Sequence, residues 1–91
     1  MTATGPAAPT APEELISDAR TQIDDLDRRI IELVQERMAV SARIQQTRIS
    51  TGGRRVHLSR EMEILARFRA ELGTPGTALA MTLLELSRGR I

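Results

Sequence analysis

The sequence predicts an all-α protein with three helices per chain, one long and two shorter. Apolar residues recur at steps of three and four along most of the 91 residues, which is the spacing of one helix face. Glycine interrupts this spacing near Gly52 and near Gly73, and no stretch alternates apolar and polar residues as a strand does. Since Phe68 is the only Phe, Tyr or Trp, the core is expected to be aliphatic.

The composition excludes several kinds of site and location. The chain has no cysteine and a single histidine, so neither a thiol nucleophile nor a zinc site is expected. Its net charge is only +1, whereas nucleic-acid binders carry a clear basic excess. No apolar run approaches the roughly 20 residues that span a bilayer, and the N-terminus lacks the features of a signal peptide. We therefore expect a cytoplasmic protein that binds neither nucleic acid nor membrane.

The N-terminal half predicts a tail followed by a long helix. Residues 1–12 are small and proline-rich, which is typical of a flexible tail, and residues 13–91 form the predicted helical domain. Thr10 to Glu13 fit a capping box for a first helix from Pro12 to Ile49. At 1.5 Å per residue this helix would be about 55 Å long, too long for one small chain to cover. We therefore expect two chains to associate along its apolar seam, which comprises Ile16, Ala19, Ile23, Leu26, Ile30 and Leu33.

The C-terminal half predicts two shorter helices. Gly52 and Gly53 end the first helix, and Ser59 is expected to cap a second helix that ends before Gly73. The inward stripe of this second helix is predicted to be Leu58, Glu61, Leu65, Phe68 and Leu72. Thr74 and Pro75 are expected to cap a third helix. It is predicted to run from Gly76 to Arg88 with Leu79, Leu83 and Leu86 on one side.

Three charged residues fall on faces that the spacing predicts to be inward: Arg37, Arg48 and Glu61. Arg37 and Arg48 are 11 residues apart, so they share a helix face to within about 20° and lie about 16 Å apart along the axis. They could lean toward one small anion between them. Alternatively, Arg37 pairs with Glu61 or extends to solvent, and Arg48 stabilises the negative end of the helix. Both interpretations remain open at this point.

Arg20 precedes Arg37 by 17 residues, which places it about 25 Å away along the same helix. It cannot meet a ligand of Arg37 and Arg48 within one chain. If two copies of the first helix pack antiparallel, Arg20 of one chain approaches the Arg37 region of the other. A site shared between two chains follows from this geometry only if that packing is assumed.

From residue 15 to residue 90 the chain resembles the all-helical chorismate mutases. The matching fragments, in order, are Ala19-Arg20-x-x-Ile23-x-x-Leu26-Asp27, Leu33-Val34-x-Glu36-Arg37, Arg48 and Ser59-Arg60-Glu61. The Gly52-Gly53 loop and the Arg88-Gly-Arg90 ending resemble the short intracellular subclass. Members of that subclass are intertwined homodimers, and some work with a DAHP synthase as an activating partner.

This resemblance implies the conversion of chorismate to prephenate in aromatic amino-acid biosynthesis, a pericyclic shift that needs no cofactor. Cations must hold the two carboxylates of the substrate, and a donor must stabilise the charge that grows on its ether oxygen. By position, Arg20 of the partner chain, Arg37 and Arg60 resemble the carboxylate-binding arginines. Arg48 resembles the cation aimed at the ether oxygen. Glu61 matches the acid that contacts the hydroxyl.

The sequence also departs from the family pattern. His57 stands where many relatives have an acidic or apolar residue, and with Val56 it is expected to contact the substrate partly through the backbone. No glutamine of the third helix matches the second ether-oxygen donor of many relatives. Because one lost donor costs on the order of 10²–10³ in rate, we expect weak activity without a partner.

Three alternative functions remain open from the sequence. An isochorismate-pyruvate lyase of the same fold would also orient a cyclic dianion with arginines. A non-catalytic helical dimerisation module would use Arg37, Arg48 and Glu61 only as ion pairs. A helical hairpin that binds RNA or DNA through Arg54, Arg55 and Arg60 is disfavoured by the balanced charge and the lack of aromatic platforms.

Overall fold

The computed structural model describes residues 11–53 and 57–88. Within them the chain forms three α-helices and no strand, which confirms the predicted fold class. Helix α1 spans Pro12–Ser50, α2 spans Leu58–Leu72 and α3 spans Thr74–Arg88. Thr10, at the start of the predicted capping box, lies outside the described residues, as does most of the predicted tail.

The chain divides into two compact units, residues 1–33 and 34–91. The described part of the first unit is the N-terminal part of α1, where no residue is buried and the apolar residues are exposed. The second unit holds the C-terminal part of α1 together with α2 and α3.

The core of the second unit lies between α2 and α3. Ile64, Ala80 and Leu84 are buried together, and Leu65 and Phe68 pack against them. The predicted stripe of α2 was therefore only partly right, because Leu58 and Leu72 are exposed and Ile64 is buried instead.

The inward face of α3 also differs from the prediction. The buried residues of this helix are Gly76, Ala80, Leu83 and Leu84, whereas Leu79 is exposed. Spacing by three and four did not distinguish these faces because α3 is apolar on more than one side.

Glycines set both helix ends. Gly52 has a φ of +84° just after α1, and Gly73 has a φ of +83° just after α2, a region that side chains disfavour. The Gly53 amide donates to the Arg48 carbonyl oxygen at 2.5 Å, and the Gly73 amide donates to that of Arg69 at 2.8 Å. The predicted cap at Ser59 was wrong, since the N-cap residue of α2 is His57.

Gly76 is where α3 lies closest to α2. A Cβ atom added there would overlap the Phe68 carbonyl oxygen and lie 2.8 Å from the Leu72 Cβ. Because the Phe68 oxygen belongs to the backbone of α2, a methyl group at position 76 would fit only if α2 and α3 moved apart.

We expect Gly76→Ala to lower the free energy of unfolding by about 1–3 kcal/mol, because the added methyl group forces α2 and α3 apart. Urea unfolding at fixed protein concentration measures this change. Thr82→Ala, at an exposed position of the same helix, should stay within about 0.5 kcal/mol of the wild type. A Gly76→Ala protein of equal or greater stability, as helix propensity alone predicts, would contradict the close packing.

Candidate functional site

A cavity of about 250 Å³ lies within the second unit and is bordered by all three helices. Its apolar lining includes Ile64 and Leu84, which are also core residues. Its charged lining consists of Arg37 and Arg48 from α1, Arg60 and Glu61 from α2, and Arg88 from α3. Four arginines and one glutamate leave an excess of three positive charges, so the cavity suits a small organic anion.

The lining brings together most of the site residues that the sequence predicts. Arg37, Arg48, Arg60, Glu61 and His57 all border this cavity. Arg20 lies in the first unit, on an exposed part of α1, and does not line the cavity. Val56 lies outside the described residues, as do Arg54 and Arg55.

Arg37 is held by neutral partners on α3. Its Nη1 atom donates to the Ser87 Oγ at 2.6 Å and to the Leu83 carbonyl oxygen at 3.5 Å. The Ser87 hydroxyl in turn donates to the same carbonyl oxygen at 2.8 Å. These contacts orient the guanidinium without neutralising its charge.

Glu61 has a different partner from the one the sequence suggested. Its Oε1 accepts a hydrogen bond from Arg88 Nη2 at 2.5 Å, and only 17% of the Glu61 side chain is exposed. The structural ion pair between Arg37 and Glu61 is therefore not formed. Since a mostly buried carboxylate needs a cation or donors beside it, the contact with Arg88 fixes Glu61 in place at the cavity wall.

Arg48 and Arg60 complete the positive lining. Arg48 lies in the last turn of α1 and is partly buried. Among the residues that the structure describes, neither Arg48 nor Arg37 has a carboxylate within 4.0 Å. Arg60 is more exposed and approaches Glu63 at 3.3 Å, a surface pair that contributes little to stability. Arg37 and Arg48 thus keep their charges available for an anion.

Residues 19–85 match the family model of chorismate mutase type II. The chain belongs to this family. Intracellular chorismate mutases of Mycolicibacterium smegmatis and Mycobacterium tuberculosis are 46% and 45% identical to it over 76 residues. That alignment covers 84% of this chain and 73% and 71% of those proteins. Family membership makes the chain an enzyme, an isomerase of the chorismate mutase type.

The fold is also similar to that of a solved structure. It is a non-covalent complex of a DAHP synthase and a chorismate mutase from Corynebacterium glutamicum with a bound transition state analog. The match has a TM-score of 0.82 and 40% sequence identity, and it covers 87% of this chain and 95% of that chain. These likenesses favour a chorismate mutase over the non-catalytic module and over the lyase of the same fold.

Sequence reasoning missed three polar residues of the cavity. Ser87 and Arg88 lie at the end of α3, and Gln45 lies on α1 between the two predicted arginines. The last turn of α3 carried no signal for Ser87, because its contact with Arg37 spans 50 residues of sequence. Gln45 was detectable in principle, since it lies three residues before Arg48 on the same helix face.

Neither a metal site nor a membrane-spanning helix is found in the described part of the chain. No group of three or more His, Asp or Glu residues there is placed to hold a metal ion. None of the helices described is long and apolar enough to cross a membrane.

Proposed function

We propose that the cavity of the second unit binds chorismate as a dianion and holds it in the folded conformer that rearranges to prephenate. The observation that carries this proposal is the convergence of Arg37, Arg48 and Arg60 with Glu61 around one small cavity. The reaction breaks one C–O bond and forms one C–C bond within a single molecule. It therefore requires binding and electrostatic stabilisation rather than a nucleophile or a proton carrier.

The two arginines of α1 are proposed to serve different parts of the substrate. Arg37, oriented by Ser87 and the Leu83 carbonyl oxygen, binds a carboxylate of the substrate. Arg48 lies three helical turns further along and directs its cation at the ether oxygen, where negative charge grows in the transition state. Because Arg37 and Arg48 are both partly buried residues, their interaction with the ligand is screened less than at an open surface.

The two charged residues of α2 complete the binding of the substrate. Arg60 adds a cation at the exposed side of the cavity and binds a carboxylate. Glu61, fixed by Arg88, accepts a hydrogen bond from the substrate hydroxyl. His57 borders the same side, and Val56 is expected to add backbone contacts there.

The first unit supports association with a second copy of the chain. Five apolar residues at helical spacing on α1 are between 48% and 62% exposed, namely Ile16, Ile23, Leu26, Ile30 and Leu33. An exposed apolar stripe of this length is typical of an interface. We propose a homodimer in which Arg20 of one chain binds the carboxylate held by Arg37 of the other, so that each site uses both chains.

A DAHP synthase is the proposed activating partner. The support is the likeness to the chorismate mutase that is found in a complex with such a synthase. The relatives are named intracellular chorismate mutases, and an intracellular location would allow this chain to meet a DAHP synthase.

We expect Arg48→Ala to lower kcat for prephenate formation by at least about 10²–10³, because a donor to the developing charge is lost. A continuous assay of chorismate disappearance measures this effect. Arg43→Ala is the matched control, because Arg43 is an exposed arginine of the same helix that does not line the cavity. Absence of prephenate formation by the wild type, even with the cognate DAHP synthase added, would refute the proposed function.

The same assay tests the activating partner. The isolated chain should turn over slowly, and adding the cognate DAHP synthase should raise kcat/KM by an order of magnitude or more. Equal turnover with and without the synthase would exclude it as an activator and would leave the catalytic proposal intact.

A mixing experiment tests the shared site. Arg20→Ala and Arg48→Ala homodimers should each be nearly inactive. When the two variants are unfolded, mixed and refolded together, half of the dimers carry one site with both arginines, so activity should recover to about one quarter of the wild type. No recovery above the mean of the two variants would show that Arg20 does not serve the partner's site.

A further inference from the structure

Gln45 is a polar residue of the cavity wall and lies on α1. Its side chain is partly buried, and its Oε1 atom is shielded from solvent with no hydrogen-bond partner among the described residues. Buried amide groups in native proteins are nearly always paired, because an unpaired one costs free energy. A leucine of similar size would avoid this cost. An unpaired amide at a cavity wall therefore points to a partner that enters the cavity.

The position of Gln45 indicates which part of a ligand it would meet. It lies four residues after Ser41 and three before Arg48, so the three side chains share the face of α1 that borders the cavity. Arg37 lies two turns earlier on the same face. The amide is thus placed between Arg37 and Arg48, which have no carboxylate partner within the part of the chain that the structure describes, and it lies closer to Arg48.

The chemistry of the amide decides what it would offer. The Oε1 end is the shielded one, so the N–H₂ end, which can only donate, is the end left to meet a ligand in the cavity. A ligand that bears two carboxylates and an ether oxygen is rich in acceptors, and it selects the N–H₂ end. A neutral donor adds a hydrogen bond without adding charge to a cavity that already has three positive charges in excess.

We infer that Gln45 is a substrate-contacting residue whose amide N–H donates to the ether oxygen of the bound dianion beside Arg48. This inference rests on the proposed function. The hydrogen bond strengthens as negative charge grows on that oxygen, so it stabilises the transition state more than the bound substrate.

Gln45→Leu separates this role from a structural one. The variant should lose about 10²–10³ in kcat, with a smaller change in KM, because a transition-state donor is removed. Its thermal stability should be equal to or above that of the wild type, because the unpaired buried oxygen is gone. Gln46→Leu is the matched control. Gln46 is the neighbouring glutamine, is exposed and does not line the cavity, so its replacement should leave kcat unchanged.

Gln45→Glu then tests whether the amide acts as donor or acceptor. A carboxylate cannot donate and repels the dianion, so this variant should be poorly active at pH 7.5. Its activity relative to the wild type should rise as the pH falls toward about 4–5, where a glutamate is protonated. Expressing each rate relative to the wild type at the same pH corrects for titration of His57, Glu61 and the substrate itself, and the four arginines of the cavity stay charged throughout.

The outcomes separate failure of this inference from failure of the proposed function. A wild type that forms no prephenate refutes the function and the inference with it. An active wild type with Gln45→Leu within threefold of it, or with stability and activity lost in parallel, refutes the inference alone. Full activity of Gln45→Glu at neutral pH would show that the group accepts a hydrogen bond, and this would overturn the assignment as a donor.

Discussion

The contact between Arg37 and the end of α3 is the interaction on which the candidate site depends. A guanidinium on the inward face of a helix is costly to desolvate, so its hydrogen bonds must be satisfied. Ser87 Oγ and the Leu83 carbonyl oxygen accept hydrogen bonds from its Nη1 atom without supplying a negative charge. An aspartate or glutamate at position 87 would have formed a stronger pair, but it would also have occupied the charge that an anionic ligand requires. Neutral acceptors therefore keep Arg37 oriented and still able to bind.

The packing of α2 on α3 sets the position of these acceptors. Gly76 lets the two helices approach at the start of α3, and the buried Ile64, Ala80 and Leu84 hold them together along their length. This packing carries Ser87 to Arg37 and Arg88 to Glu61 in the final turn of α3. The same residues that fill the core thus place an ordered cation and an ordered carboxylate at the cavity wall. Catalysis by electrostatic preorganisation requires this order before the substrate arrives.

The sequence predicted the features that depend on local chemistry. Helical spacing, Pro12 and the glycines near positions 52 and 73 located all three helices to within about two residues. The inward arginines of α1 and Glu61 were recognised as candidate site residues because charges on an apolar face are unusual.

What could not be predicted depends on contacts between distant residues. The pairing of Glu61 with Arg88 rather than Arg37 joins two helices across 27 residues of sequence, which no local pattern encodes. The inward side of α3 depends on Gly76, whose small size matters only once α2 lies against it. Gln45 was overlooked because a glutamine on a helix is usually a solvated residue.

Binding of a bicyclic oxa mimic of the rearrangement transition state tests the central claim most directly, because it isolates recognition of the dianion from turnover. Titration calorimetry of the wild type should give a Kd of about one micromolar or tighter. Arg37→Ala should weaken binding at least about a hundredfold while the protein stays folded, and Arg43→Ala should bind as the wild type does. A wild type that does not bind the mimic, or an Arg37→Ala variant that binds it equally well, would contradict an arginine-lined site for chorismate.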